Sequence, residues 1–210
     1  MIRNICVSFI FVLTSLFYLN AQTDLGSWTS VSVSKNIKKN TFILKPIARF
    51  NENLGGYNNF SLELVARHKI NSHWQLSFTD RYWWLDDGVN RNFWFLDLGY
   101  RFKATEKIVL SQYVRWHIAQ DIEISDPNFL RWHPSIELNT NSKFKPYASI
   151  EFFFRLDGVS EFQRTRAKVG GTYVHSDRIQ FLLRLWREEF INIANPRTDY
   201  IIEFNLGYKF

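Results

Sequence analysis

Between Tyr200 and Phe210 every second residue is apolar or aromatic: Tyr200, Ile202, Phe204, Leu206, Tyr208 and Phe210. Asp199, Glu203, Asn205 and Lys209 fall between them, and Ile201 is the single breach. Successive side chains of a strand point to opposite faces, so this spacing predicts a ribbon with one greasy face and one wet face. The pattern recurs upstream. Phe60, Leu62, Leu64 and Ala66 alternate with Asn59, Ser61, Glu63 and Arg67, and Trp74, Leu76, Phe78, Tyr82 and Trp84 form the apolar side of the next segment. Trp94, Leu96, Leu98, Tyr100 and Phe102 oppose Asp97 and Arg101; Ile108, Leu110, Val114, Trp116 and Ile118 oppose Ser111, Tyr113, Arg115 and His117. Leu130, Trp132, Pro134, Ile136 and Leu138 face away from Arg131, His133, Ser135 and Glu137. Ala148, Ile150, Phe152 and Phe154 face away from Ser149, Glu151 and Arg155. Two more segments follow, with Arg164, Arg166 and Lys168 on the polar side of the first and Gln180 and Arg184 on that of the second. No comparable helical periodicity appears after the amino-terminal segment.

The connections also alternate. Lys35–Asn40, Ile70–His73, Lys103–Lys107, Asn139–Lys143 and His175–Asp177 are tight and polar. Asn51–Asn58, Leu85–Arg91, Gln120–Asn128, Asp157–Glu161 and Glu189–Arg197 are mostly longer and contain Gly or Pro. Short turns on one rim and longer loops on the other are the arrangement of an outer-membrane barrel, the short ones periplasmic. Adding Gly26–Ser34 and Thr41–Phe50 to the series gives eleven strands, whereas bacterial single-chain barrels are usually even-numbered. Either a short strand near Gln22–Ser27 makes twelve, or Gly26–Ser34 is not a full wall strand and the count is ten; twelve is preferred.

Alternation fits a soluble barrel equally well, because turning each ribbon over hides the apolar face in a dry core. Three features favour the membrane. The candidate strands run to about 10–13 residues, enough to cross a bilayer when tilted and longer than typical globular strands. Aromatic residues gather at strand ends, with Trp74, Tyr100, Tyr208 and Phe210 towards the short-turn rim and Trp84, Trp94, Trp116 and Trp132 towards the long-loop rim. Such clusters mark interfacial girdles. The opposite face carries large charges of both signs, as a polar lumen would. A secreted soluble β-barrel binding protein is the alternative.

Composition agrees. Aromatics make up 18% of the chain, including eight tryptophans and twenty phenylalanines, yet mean hydropathy is slightly negative. The amino terminus has a positive charge at Arg3, a nearly unbroken apolar run over Ile5–Leu19, and Ala21 as a small residue before Gln22. This reads as a cleaved secretory signal over residues 1–21, leaving 22–210 as a single barrel domain; a retained anchor is the rival reading. The only cysteine, Cys6, would leave with the signal, and with it any thiol, disulfide or cysteine-bound metal. Arg3 is one of the 26 basic residues, so 25 would remain against 20 acids, a net of +5.

The final strand resembles the signature strand of bacterial outer-membrane barrels. Gln22–Trp28, Arg49–Gly55, Lys69–Trp74 and Gly207–Phe210 together resemble a family of predicted outer-membrane barrels catalogued as domain of unknown function 2490. The resemblance implies an all-β fold, an antiparallel up-and-down transmembrane β-barrel, and a place in the bacterial outer membrane, in keeping with the ten to twelve strands counted from the pattern. It implies no established activity and no functional residues.

The polar face therefore carries whatever chemistry there is. Arg49, Arg67, Arg101, Arg115, Arg131, Arg155, Arg164, Arg166, Lys168 and Arg184, with Lys45, Arg81 and Lys209, supply thirteen cations. Glu63, Glu137, Glu151 and Glu203, with Asp97, Glu188 and Asp199, supply seven anions. A bore this narrow can be closed by ion pairs, giving a structural wall. The surplus of cations alternatively favours a narrow anion conduit. A lipid-modifying enzyme is a further reading, resting on His133, Ser135 and Glu137. At i, i+2 spacing these stand ~6–7 Å apart along a strand, too far for the nucleophile–base bond that serine catalysis needs, unless the register brings His117 close. Asp86–Asp87 and Asp121–Asp126 lack the spacing of a calcium loop, and His68, His73 and His175 are isolated, so no metal or other cofactor is expected. Gly170 and Gly171 predict a bend or bulge rather than a phosphate loop. The high isoelectric point is explained by a basic lumen, and no nucleic-acid partner is expected. Expected partners are outer-membrane lipid, lipopolysaccharide phosphate at the rim, and the barrel-assembly machinery, which would read the strand ending at Phe210. Asp80 alone breaks the greasy series of its segment, which predicts a bulge near Thr79 or a position high on the wall.

Overall fold

The period-two pattern is realised as strands and nothing else. The computed structural model describes residues 23–51, 54, 56–85, 88, 90–120, 127–158 and 161–210. Its elements are β1 (Thr23–Ile37), β2 (Asn40–Asn51), β3 (Gly56–Lys69), β4 (Trp74–Leu85), β5 (Asn90–Lys103) and β6 (Ile108–Ala119). They continue with β7 (Phe129–Leu138), β8 (Phe144–Arg155), β9 (Phe162–Val174), β10 (Ile179–Phe190) and β11 (Arg197–Lys209). Each pairs with its neighbours in chain order, and β11 returns to β1 to close the barrel. The strand ends joined through 38–39, 70–73, 104–107, 139–143 and 175–178 make one rim; the opposite strand ends make the other. The amino-terminal segment to residue 22, Asp86, Asp87 and residues 121–126 lie outside the described residues.

The greasy face points outward. Leu183, Leu64, Trp116 and Leu98 are 55%, 51%, 49% and 45% exposed, while Arg131, Glu151, Glu188 and Glu203 on the alternate positions are buried. Around the short-turn rim Trp74 packs on Tyr100 with ring centroids 4.8 Å apart, and Tyr208 on Phe210 at 4.9 Å. Ile201, the breach in the last strand, is an enclosed residue and buried.

The strand number is eleven, neither twelve nor ten. Residues 23–27 are the upper end of β1 itself, and β1 is a full wall strand hydrogen-bonded to β2 on one side and β11 on the other. Two of its enclosed positions, Ser30 and Ser32, are serines whose hydroxyls bind β11. Ser30 Oγ donates to Phe204 O at 3.2 Å and to Asn205 Oδ1 at 3.0 Å, and Asn205 Nδ2 donates to Ser32 Oγ at 3.1 Å. An odd number forces one parallel pair into an otherwise antiparallel wall, and that pair is β1–β11, in register from Thr23 beside Thr198 to Ser34 beside Lys209.

Two local expectations also change. The register of β3–β4 and β4–β5 is unbroken around Thr79, so no bulge turns Asp80 inward. Asp80 sits halfway along β4 between Leu64 and Trp94, on the outward face, and helps line a shallow groove with Val33, Phe42, Leu44, Leu64, Ala66 and Phe78. Its Oδ1 is shielded and accepts no hydrogen bond. At Gly170 and Gly171 the pairing is likewise continuous. The pair marks a close approach of backbones: a Cβ on Gly170 would lie 2.2 Å from Leu183 O. The register shifts fall instead after Arg49 and after Phe153.

Candidate functional site

Contacts between strands that are not neighbours identify the enclosed face. Arg49 of β2 reaches Trp83 of β4, and Arg131 of β7 reaches Phe95 of β5. Lys45 of β2 reaches Glu203 of β11, and Arg184 of β10 reaches Tyr147 of β8. A strand lies between the partners in every case, so these contacts run through the interior.

Cross-strand register assembles the charges. Glu151, Arg166 and Glu188 stand directly opposite one another on β8, β9 and β10. Arg131 donates to Glu151 Oε1 through Nε at 2.9 Å and Nη2 at 2.6 Å. Arg166 Nη1 reaches the other oxygen at 3.4 Å, Lys168 Nζ lies 3.7 Å from it, and the Tyr113 hydroxyl donates to Oε1 at 3.5 Å. Glu188 accepts from Arg164 Nη1 and Arg166 Nη2, both at 2.8 Å. Two carboxylates thus gather four cations from β7 and β9 into one lattice.

Smaller clusters surround it. Arg115 binds Asp97 through Nε at 2.5 Å and Nη2 at 2.7 Å, and Ser77 Oγ donates to the same carboxylate at 3.1 Å. Arg81 pairs with Glu63. Glu203 accepts from Trp186 Nε1 at 3.0 Å, with Arg184 and Lys45 at 3.7 and 3.8 Å. Arg101 and Glu137 form a pair at 3.0 Å in exposed surroundings near the short-turn rim, and Arg155 binds Asp157 at 3.3 Å near the other. Arg49 and Arg67 have no carboxylate within salt-bridge reach among the described residues.

The alternation argument did not anticipate the rings between these charges. Phe95 lies 4.6 Å from Arg81, 4.7 Å from Arg115 and 5.9 Å from Arg131. Phe153 lies 4.3 Å from Arg131, 4.6 Å from Arg164 and 5.1 Å from Arg166, and the Lys168 ammonium sits 4.0 Å from the Trp186 ring. Guanidinium groups stack on aromatic faces with little cost, so rings fill the bore without stranding charge. The signal was present as runs that place rings on both parities: Tyr82-Trp83-Trp84, Phe93-Trp94-Phe95 and Phe152-Phe153-Phe154. In each, the middle or flanking ring had to face inward.

The hydrolase constellation does not assemble. Ser135 Oγ bonds Ser111 Oγ at 2.7 Å, and His133 Nε2 bonds the Tyr147 hydroxyl at 3.2 Å. His117 stands opposite Phe129, not Ser135, and packs among Phe93, Phe95 and Phe129. No serine–histidine hydrogen bond links these three side chains, the contact that serine catalysis would need.

No family model matches the chain and no curated protein matches it, so the family resemblance rests on the residues quoted above. Among solved structures the fold is similar to that of the NanC porin, with a TM-score of 0.55 over 89% of this chain and 99% of that one. Identity is 13%, so the likeness is one of fold.

Proposed function

We propose that this chain is an integral outer-membrane barrel whose bore is shut by the ion-pair and ring lattice, making it a structural wall. One observation carries the reading: Phe95 and Glu151 are 0% exposed and Phe153 and Arg49 only 2%, although all four face the interior. A water-filled channel would wet such side chains. Support for the membrane comes from the apolar outward face, the short and long rims, and a porin-like fold. A continuous greasy exterior of this extent is untenable in water but suits lipid. Outer-membrane phospholipid and lipopolysaccharide are the partners this surface proposes, and β11 with Phe210 just beyond it is the segment proposed to engage the assembly machinery. Fractionation of cells expressing the full chain tests the location; recovery in the soluble periplasm would remove the proposal's basis.

A narrow anion-favouring conduit is the second reading, supported by the surplus of thirteen cations over seven anions on the polar face. Planar-bilayer recordings separate the two. The wall predicts silence in potassium chloride at neutral pH. Discrete steps with a reversal potential on the chloride side would establish the conduit instead.

A further inference from the structure

Among the described residues, Arg49 is the buried cation of the interior with no carboxylate within salt-bridge reach, Glu63 and Glu188 acting on it only from further away. The other deeply enclosed cations each meet a carboxylate: Arg81 with Glu63, Arg115 with Asp97, Arg131 and Lys168 with Glu151, and Arg166 with Glu188. Arg67 also lacks one but is only half-buried. Arg49 stands opposite Trp28 of β1 and Asn59 of β3, two residues below the end of β2 at the long-loop rim. The rings of Trp28 and Trp83 flank its central carbon at 4.3 and 4.4 Å. Nη1 donates to Asn59 Oδ1 at 2.9 Å, whereas Nε and Nη2 are shielded from solvent and donate to nothing.

Those two atoms share one edge of the guanidinium plane. Their N–H bonds run parallel, which is the fork that grips a carboxylate side-on. With an indole on either side and Asn59 at one end of the group, that edge is where its two unmade hydrogen bonds lie. An uncompensated buried charge with unmade hydrogen bonds is costly, and an anion on this edge would satisfy the charge and both donors together.

We propose that Arg49 is an anion-binding station beneath the long-loop mouth, taking a small carboxylate on its Nε/Nη2 edge between Trp28 and Trp83. The station goes beyond the wall reading, since binding at equilibrium requires no passage through the bore. Conductance reports on the bore and binding on the site, so either can fail alone.

Acetate is the probe. Refolded protein in detergent is titrated with sodium acetate at fixed ionic strength, and tryptophan fluorescence is followed. Wild type should show a saturable change, Arg49→Met none, and Arg49→Lys, which keeps the charge but loses the fork, a midpoint about tenfold weaker. A wild-type signal that never saturates, or an Arg49→Met curve that overlies it, overturns the station. Should Arg49→Met fail to refold, wild-type crystals soaked in bromoacetate decide. An anomalous bromine peak beside Nε and Nη2 supports the site, and its absence there refutes it.

Discussion

Glu151 has no contact with solvent and is shared by Arg131, Arg166 and Lys168. Burying an ion group is expensive in itself, and replacing a whole buried cluster by apolar residues is often neutral. Removing a single member is different, because its partners stay enclosed and uncompensated. Glu151→Leu should therefore lower the unfolding free energy by about 3–5 kcal/mol, with guanidinium titration of protein in lipid vesicles as the measurement. A loss below about 1 kcal/mol would mean that the cluster is wet and screened as a surface pair is. Asp80 makes the opposite case. Its carboxylate faces outward at mid-strand with a shielded, unpaired oxygen. On the proposed lipid-facing exterior an acid costs less than the ~2–4 kcal/mol of a basic residue at the midplane, so Asp80→Leu should raise stability by about 1 kcal/mol in the same assay. A neutral or destabilising result would count against an unpartnered Asp80 on a lipid-facing exterior.

Each strand was legible because one physical rule, period two, acts on every residue in it. That rule sets which face a side chain joins but not how the enclosed face is filled. Glu151 and Arg166 were readable as enclosed charges; their direct opposition depends on the β8–β9 register, which no local pattern encodes. Phe93 and Phe95 were hidden for another reason, since an apolar residue on the polar parity looks like noise until the narrowness of the bore is known. The glycines of β9 show the limit again. Two adjacent glycines read as a bend or bulge, and only the packed neighbours show a close approach instead. At Gly170 a methyl group would strike the backbone oxygen of Leu183 at 2.2 Å, with φ at +154°. At Gly207 it would meet only side-chain atoms of the flexible Gln180, Cγ at 2.8 Å and Nε2 at 3.0 Å, which can swing aside. Gly170→Ala should accordingly abolish the compact, heat-modifiable band of folded barrel on unheated gels, while Gly207→Ala retains it. Equal behaviour of the two would contradict the backbone contact.

Closure of the whole wall is where strand-level reasoning failed, and the cause is instructive. Parity was argued from the habit of antiparallel barrels, which assumes that first and last strands run in opposite directions. Nothing in the sequence of β1 or β11 prevents them from running together. Parallel bonds are slanted but evenly spaced, and Ser30, Ser32 and Asn205 add side-chain bonds along the seam. The result puts Thr23 and Thr198 at the long-loop rim and Ser34 and Lys209 at the other. Cysteine pairs test this directly, because Cys6 is the chain's only native thiol and is absent from a chain beginning at Gln22. Cysteines at Asp24 and Asp199 should oxidise to a disulfide, and so should cysteines at Ser34 and Lys209, each pair being adjacent in the parallel register. An antiparallel seam would separate at least one pair by the height of the wall. A ten-stranded closure of β2 on β11 would leave β1 off the wall and remove the register that both pairs depend on. Disulfide formation at both rims, read by mobility shift with and without reductant, is therefore expected only of the eleven-stranded barrel, and failure at either rim would refute it.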